Sequence, residues 1–306
     1  MDTVTIFAPA TIANLGPGFD VLGLAVTGKG DVVEARKTVA PGVTIEAISG
    51  DGGRLPRDPV KNTAGVAAGE ALKLARERGG VALKLRKDMP LGSGLGSSAA
   101  SAAAAAWAVA QLYGISEKEA LLPACLAAEA AVSGYHADNV GPSLLGGLVL
   151  ISSYHPLQIR TLPTPPDLHL VLVTPAYEVP TAQARAVVPK QIPLEKVIAN
   201  SGQLSAMLAA SFKGDTAAFG RAVVDAIIEP ARAHLIPGFQ QVKEAALRAG
   251  AYGCSISGAG PTVFAVTDSL EAGQAIGAAM QEAFQEAGLS STVNVALVDT
   301  VGARRL

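Results

Sequence analysis

The residues best suited to chemistry lie at 90–100, where the chain reads Pro-Leu-Gly-Ser-Gly-Leu-Gly-Ser-Ser-Ala-Ala. Gly92, Gly94 and Gly96 can adopt positive φ and let a ligand approach the main chain closely. The serines at 97–98 are good N-cap residues for the alanine-rich helix predicted to follow. A glycine turn at a helix N-terminus gathers free N–H groups at the positive end of the helix dipole. This glycine loop therefore predicts an anion site, with phosphate as the first candidate.

A second interpretation of the loop stays open at this point, namely a tight turn that simply precedes a packed helix. Two other nucleotide loops are excluded. The sequence has no Gly-x-x-x-x-Gly-Lys-Ser/Thr, so a Walker-type loop is absent. The spacing of Gly92, Gly94 and Gly96 also differs from the Gly-x-Gly-x-x-Gly of dinucleotide folds.

A lone carboxylate and a polar loop come next along the chain. Glu129 stands in a run of alanines on a predicted helix, which suggests more than a solubilising role, although a place on the wet face of the helix remains an alternative. His136, Asp138 and Asn139 follow on a glycine-flanked loop, residues 133–147. A zinc site on His136 and Asp138 is disfavoured, because further ligands at a recognisable spacing are missing.

Two more polar residues lie in an apolar segment near the N-terminus. Residues 8–25 are too rich in glycine and proline for a regular helix and too apolar for a solvated loop, yet they include Asn14 and Asp20. A buried Asp needs a partner or a role. The alternative is that both side chains bond to the local main chain in turns.

The predicted elements place the glycine loop between a sheet and a helix. Strands are expected over 22–26, 31–37 and 43–48 as an antiparallel set. A helix over 62–78 and a strand over 81–86 then lead into the loop.

The second half of the chain predicts a separate layer. Residues 153–167 read as a linker, and a helix is expected over 215–228 within a helical insertion. With that insertion set aside, the order is β-α-β-β-α-β, with two strands bracketing residues 257–262. This order indicates an α+β layer of ferredoxin-like type.

Composition limits the class of protein. The chain has 306 residues, of which 49% are hydrophobic and 16% charged, enough for two domains with sizeable cores. The net charge of −2 argues against a broad nucleic-acid surface. No apolar run is long enough to span a bilayer, and the N-terminal stretch lacks a basic segment before Pro9, so we expect no membrane segment, no signal peptide and a cytoplasmic location.

Three motifs in order carry a resemblance. They are Ala-Pro-Ala-Thr-Ile-Ala-Asn-Leu-Gly-Pro-Gly-Phe-Asp at 8–20, Pro-x-x-x-Gly-Leu-Gly-Ser-Ser-Ala at 90–99 and Ser-Gly-Ala-Gly-Pro-Thr at 257–262. The chain resembles the GHMP kinase superfamily over essentially its whole length. Residues 8–20 and the His-Ala-Asp-Asn-Val-Gly-Pro segment at 136–142 are most similar to the homoserine kinase branch.

The resemblance implies a reaction and a fold. MgATP would phosphorylate the side-chain hydroxyl of L-homoserine. The fold would be α+β, the two-domain GHMP kinase fold. Residues 1–155 would form an ATP-binding domain like ribosomal protein S5 domain 2. Residues 156–306 would form a ferredoxin-like domain completing the substrate site. By family analogy the chain would be a homodimer.

The resemblance also implies roles for individual residues. Catalysis would involve Ser98, Glu129, Asp138 and Asn139, with Mg²⁺ on Glu129 and on Ser98 (or Ser97). ATP would contact Asn62 and Lys87 at its adenine end. Its other contacts would be Pro90, Leu91, Gly92, Ser93, Gly94, Leu95, Gly96, Ser97, Ser98, Ala99 and Ala100. Homoserine would contact Asn14, Asp20, His136, Asp138, Asn139, Thr181, Arg185, Arg232 and Gly258.

Some alternatives remain open from sequence. Homoserine kinases are thought to work without a dedicated general base, and whether Asp138 is one is left open. Arg185 and Arg232 suit a substrate carboxylate, but a mevalonate-type or shikimate-type kinase of the same superfamily would use them too. A non-catalytic GHMP-like binding module is the alternative from a different class.

Overall fold

The computed structural model describes residues 3–76, 79–132 and 134–306, and its strands form two sheets. In chain order the strands are β1 (Thr3–Ala13), β2 (Leu22–Thr38), β3 (Gly42–Ser49), β4 (Gly80–Lys87), β5 (Leu148–Tyr154), β6 (Leu157–Leu162), β7 (His169–Pro175), β8 (Gly253–Ile256), β9 (Val263–Thr267), β10 (Ser291–Leu297) and β11 (Arg304–Arg305).

The first sheet has the order β11-β1-β2-β4-β3, with β5 paired to β2 and β6 paired to β5. The two strands predicted over 22–26 and 31–37 are one continuous strand, β2. The expectation of a fully antiparallel set is wrong for β3, which pairs with β4 in parallel. A helix crosses between these two strands, and such a crossover allows the parallel arrangement.

The helices, in chain order, are α1 (Thr63–Ala75), α2 (Ser97–Tyr113), α3 (Leu122–Ala130), α4 (Val140–Leu145), α5 (Thr181–Ala186), α6 (Leu194–Lys213), α7 (Thr216–Arg221), α8 (Ile228–Arg232), α9 (Phe239–Arg248) and α10 (Leu270–Glu286). Helix α2 contacts β1 and β2 on one side and α1 on another, and all of its alanines are buried. Small side chains let these elements approach closely, so the start of α2 is fixed within the core of the first half.

The start of α2 differs from the prediction. The N-cap is Gly96, at φ 68°, and no side chain caps the helix. Ser97 and Ser98 instead form its first turn, which leaves both hydroxyls free to face other groups. The predicted start of α1 is confirmed, since the Asn62 side chain accepts a hydrogen bond from the N–H of Ala64. Its predicted end near Arg78 lies outside the described residues.

Three other segments also differ from the prediction. The linker expected over 153–167 contains β6, which extends the first sheet beyond residue 155. The loop expected over 133–147, whose first residue lies outside the described residues, ends in the short helix α4. The helix expected over 215–228 stops with α7 at Arg221. The division into domains at residue 155 stays a prediction.

The second sheet has the order β10-β7-β9-β8, with every pair antiparallel. Helix α9 precedes β8, and α10 joins β9 to β10. This is the β-α-β-β-α-β order, with α5 to α8 as the insertion, so the predicted ferredoxin-like half is confirmed. Within the described ranges no helix has both the length and the apolarity needed to cross a membrane.

Candidate active site

A cleft of about 530 Å³ opens beside the glycine loop that precedes α2. The loop between β8 and β9 packs against this glycine loop: the Ser257 hydroxyl donates to the Gly94 carbonyl at 2.7 Å, and the Thr262 N–H donates to the Ser93 carbonyl at 3.1 Å. A Cβ on Gly94 would lie 2.5 Å from the Ser257 carbonyl oxygen, so glycine is needed for this contact. The two sheets are thereby joined at the floor of the cleft.

Most residues predicted for the site line this one cleft. They are Asn14, Asp20, Asn62, Lys87, Leu91, Gly92, Ser93, Gly94, Gly96, Ser97, Ser98, Ala99, Glu129, His136, Asp138, Asn139, Thr181, Arg185, Arg232 and Gly258. Three predicted nucleotide contacts do not line it. Leu95 and Ala100 are buried in the hydrophobic core, and Pro90 is exposed.

One buried side chain of the glycine loop ends in a polar atom, the hydroxyl of Ser93. The Ser93 hydroxyl is buried, and it has no hydrogen-bond partner among the described residues. An unsatisfied buried hydroxyl is costly unless something else bonds to it. Because Ser93 lines the cleft, a phosphate oxygen of a bound ligand would satisfy it.

Two predicted metal ligands lie side by side at the start of α2. The Ser98 hydroxyl donates to Oε2 of Glu129 at 3.3 Å, and Glu129 is buried on α3. In contrast, the Ser97 hydroxyl donates to Asp31 at 3.0 Å, away from Glu129. Mg²⁺ takes oxygen ligands and keeps several waters, so this pair of donors suits it. Within the described chain, no cluster of three or more His, Cys, Asp or Glu side chains could hold a metal.

A buried ion pair lies beneath the loop. The Lys87 ammonium donates to the Asp31 carboxylate, to the Ser97 carbonyl at 2.9 Å and to the Ser101 hydroxyl at 2.5 Å. The Asp88 N–H donates to the same carboxylate at 3.1 Å. Burial lowers the pKa of Lys87, and the charge of Asp31 opposes that shift. This cluster ties β2 and β4 to the first turn of α2.

The polar ends of Asn62 and Lys87 are therefore bound within the protein. The Asn62 amide donates to the Pro56 carbonyl at 2.9 Å, and its oxygen caps α1. Lys87 faces Asp31. Both residues line the cleft, so contact with the adenine end of ATP stays a prediction. Such contact would involve other atoms of these side chains, because their polar groups are already bonded within the protein.

The segment that carries Asn14 and Asp20 is held in an unusual backbone conformation. Asn14, Leu15 and Asp20 all have positive φ, at 73°, 51° and 60°. The Asn14 oxygen accepts from the Asp20 N–H at 3.1 Å, and its amide donates to the Gly258 carbonyl at 3.2 Å. Left-handed backbone at a non-glycine residue is strained, and such strain concentrates at functional sites.

Asp20 and Arg185 form a bidentate ion pair, with nitrogen–oxygen distances of 2.7 and 3.0 Å. Nδ1 of His136 lies 3.7 Å from the same carboxylate. Burial lowers the pKa of His136; the charge of Asp20 opposes that shift, and the nearby arginines add to it. The carboxylate of Asp20 therefore occupies the fork of the Arg185 guanidinium.

Arg232 is held by main-chain carbonyls rather than by a carboxylate. Its Nε donates to Ala184 at 3.0 Å, and its Nη1 donates to Gly258 at 2.8 Å. Burial lowers its pKa to about 10, and the charge of Arg185 adds to the shift. Both guanidinium groups lie over the Phe19 ring, 4.9 Å (Arg185) and 5.1 Å (Arg232) from its centre. The guanidinium groups of Arg185 and Arg232 together form a positively charged surface that suits a bound anion.

Asp138 and Asn139 line the same cleft and lie directly before α4. Burial raises the pKa of Asp138 to about 7, with smaller contributions from Asp20 and Glu129. A Cβ on Gly23 would lie 1.7 Å from the Asp138 carbonyl oxygen, so β2 approaches this turn closely. The Thr11 hydroxyl donates to the Asn139 oxygen at 2.7 Å, which fixes Asn139 beside the glycine loop.

Family models match both halves of the chain. Residues 62–147 match "GHMP kinases N terminal domain", and residues 207–286 match "GHMP kinases C terminal". The chain is 51% identical to a homoserine kinase of Arabidopsis thaliana, over 99% of this chain and 84% of that protein. The chain belongs to the homoserine kinase family of the GHMP kinases.

More distant and structural relatives agree with this membership. A homoserine kinase of Pyrococcus furiosus is 41% identical to this chain, over 94% of each protein. The crystal structure of homoserine kinase from Cytophaga hutchinsonii matches with a TM-score of 0.96 at 46% identity, covering 100% of this chain and 98% of that one. L. major mevalonate kinase shares the fold, with a TM-score of 0.73 at 15% identity, covering 95% and 94%. The chain is thus an ATP-dependent kinase of this family.

Sequence reasoning missed several residues that position the site. They include Thr11, Phe19, Asp31, Ser101 and Tyr154. Phe19 could have been found, because it precedes Asp20 within the motif at residues 8–20. Asp31 offered no local signal, since its lysine partner lies 56 residues away in sequence.

Proposed function

We propose that this chain transfers the γ-phosphate of ATP to the side-chain hydroxyl of L-homoserine. One observation carries the proposal: a single cleft joins an anion-binding helix start to a pocket with paired arginines and buried carboxylates. The first suits a triphosphate, and the second suits a small zwitterion. The names of the close relatives support the choice of homoserine.

The nucleotide would lie at the glycine loop. Main-chain N–H groups of residues 92–98 would bond to phosphate oxygens at the N-terminus of α2. The buried Ser93 hydroxyl would gain a partner there. Ser98 and Glu129 would hold Mg²⁺, which would neutralise charge on the transferred phosphate.

Homoserine would lie at the other end of the cleft. Its carboxylate would pair with Arg232, whose charge is balanced mainly by carbonyl dipoles. It would also pair with Arg185 if the Asp20 carboxylate moves away from that guanidinium. Its ammonium would pair with Asp138 and Asp20. Asn14, His136, Asn139, Thr181 and Gly258 would enclose the hydroxyl arm. Mevalonate and shikimate lack the ammonium, so these acidic groups favour an amino acid.

The side chains would act mainly by positioning. Phosphoryl transfer passes through a loose transition state, so alignment and charge stabilisation supply most of the rate. Asp138 would become ionised on binding, because the substrate ammonium favours its charged form. In this scheme Asp138 binds the substrate, and the hydroxyl proton needs no dedicated base.

The proposal also covers the oligomeric state and the cellular location of the protein. We expect a homodimer and a cytoplasmic location, as for the family. Light scattering at the concentration used for assays tests the first, since a monomeric mass would contradict it.

A substrate panel with coupled ADP release tests the proposed reaction. Homoserine, mevalonate, shikimate and buffer alone would be compared at equal MgATP. We expect rapid ADP release with homoserine only. Activity with shikimate or mevalonate but not homoserine would assign the chain a different acceptor. Failure to bind MgATP in a calorimetric titration would instead support a non-catalytic binding module.

A further inference from the structure

Tyr154 lies at the end of β5 and does not line the cleft, yet its hydroxyl reaches two segments that do. It donates to the Asp20 carbonyl at 2.8 Å and accepts from the Ala137 N–H at 3.1 Å. Both hydrogen bonds therefore pass through a single oxygen atom. One of the joined residues is Asp20 itself, and the other, Ala137, immediately precedes Asp138.

Each joined segment needs to be held. Asp20 has φ 60°, in the left-handed region that non-glycine residues rarely adopt. Ala137 is fully buried and sits directly before Asp138. A hydrogen bond to the Asp20 carbonyl stabilises the strained backbone, and one from Ala137 fixes the start of the turn. The separation of the Asp20 and Asp138 side chains depends on both.

The Tyr154 ring is supported from outside the pocket. Tyr135 lies 6.0 Å away at an interplanar angle of 58°, and Tyr135 in turn stacks on His155 at 6.0 Å and 8°. Burial raises the pKa of the Tyr154 phenol to about 12, so the hydroxyl keeps its proton and remains a donor. The hairpin of β5 and β6 thus presents a rigid donor and acceptor to the back of the site.

We infer that Tyr154 is a positioning residue for the amino-acid substrate: its hydroxyl sets the spacing of Asp20 and Asp138, which would receive the substrate ammonium. This inference rests on the proposed function. It gives the β5–β6 hairpin a role in substrate affinity, although none of the hairpin's residues lines the cleft.

Tyr154→Phe tests the inference, because it removes only the hydroxyl. Tyr113→Phe is a matched control: the Tyr113 hydroxyl donates to the Gly80 carbonyl, also at 2.8 Å, away from the cleft. We expect Tyr154→Phe to raise KM for homoserine roughly 5- to 10-fold, the effect of losing two modest hydrogen bonds. KM for ATP should stay within about twofold of the wild-type value, because the lost hydrogen bonds do not involve the glycine loop. Tyr113→Phe should change neither constant.

Thermal unfolding of both variants separates positioning from general loosening. If both lose similar stability but only Tyr154→Phe loses homoserine affinity, the effect is local to the pocket. An unchanged KM for homoserine, or an equal rise in both KM values, would overturn the inference. The wild type is assayed in parallel: inactivity on homoserine would overturn the proposed function and this inference together, whereas normal activity with an unaffected Tyr154→Phe would overturn the role of Tyr154 alone.

Discussion

The hydroxyl of Ser98 lies 3.3 Å from Oε2 of Glu129, whereas the neighbouring Ser97 hydroxyl donates to Asp31. Two adjacent serines in one helical turn therefore have different partners. Ser98 faces the cleft with a carboxylate suited to magnesium. Ser97 faces the buried ion pair beneath the loop. The sequence left open which serine would bind the metal, and the geometry favours Ser98.

Exchanging each serine for alanine separates these roles. Ser98→Ala should weaken magnesium binding and shift the magnesium dependence of turnover, so that roughly 10- to 100-fold more Mg²⁺ is needed for half-maximal activity. Ser97→Ala should leave that dependence unchanged and instead destabilise the fold by about 1.5–3 kcal/mol, because it removes a buried bond to a charged group. Magnesium titrations of activity and urea unfolding measure the two effects. Reversed outcomes would place the metal at Ser97.

Removing one member of the buried ion pair should destabilise the protein strongly. Asp31→Ala leaves the Lys87 ammonium without its carboxylate, at a cost of about 3–5 kcal/mol in the free energy of unfolding. Glu34→Ala is a matched control on the same strand, since Glu34 pairs with Lys84 at the exposed surface. We expect little change there. Equal losses of stability in the two variants would show that the buried pair contributes no more to folding than the exposed pair does.

Replacing the carbonyl-anchored arginine should affect one substrate only. Arg232→Lys keeps the charge but loses the planar fork and the geometry held by Ala184 and Gly258. KM for homoserine should rise about 10-fold or more, since bidentate charge-assisted bonds are lost. KM for ATP should not change. The exposed Arg248→Lys on α9 serves as the control, and steady-state kinetics with each substrate varied decides. A rise in KM for ATP alone would put Arg232 at the nucleotide.

The raised pKa of Asp138 predicts a pH dependence. Its pKa of about 7 lies above the usual 3.8, so kcat/KM for homoserine should rise with pH through about 7 as the carboxylate ionises. Stability changes in the opposite direction, because the unfolded chain releases this proton first as pH rises. The contribution of Asp138 to folding is therefore full below pH 3.8 and is lost through about pH 7.

Asp138→Asn checks that dependence. The rise near pH 7 should vanish, and KM for homoserine should increase more than kcat falls. The wild type assayed over the same pH range is the control. A large loss of kcat with an unchanged KM would contradict the binding role and make Asp138 a general base.

Local signals in the sequence located most of the site. The glycine loop, the carboxylate on an alanine helix and the polar loop at 136–139 each break the pattern around them, and all line one cleft. The ferredoxin-like order of the second half also follows from strand and helix periodicity. Such features are visible because they depend on neighbours in the chain.

The remaining features depend on partners distant in sequence. Asp31 reads as an ordinary strand residue until β2 and β4 pair and bury it against Lys87. The sequence predicts Ser97 and Ser98 as helix caps, but Gly96 takes that place, and the Ser97 hydroxyl donates instead to Asp31, 66 residues away in sequence. Arg185 was matched to a substrate carboxylate, and nothing local showed that Asp20 already pairs with it. Three-dimensional packing decides each of these cases.

The most direct test of the proposed function is the identity of the phosphorylated product. Phosphorus NMR of a reaction with ATP, Mg²⁺ and L-homoserine should show one new phosphomonoester signal, with proton coupling to the CH₂ that bears the side-chain oxygen. The signal should grow in step with ADP and be absent with Glu129→Gln. ADP release without this ester, or a phosphate attached to the carboxylate of homoserine, would contradict the account.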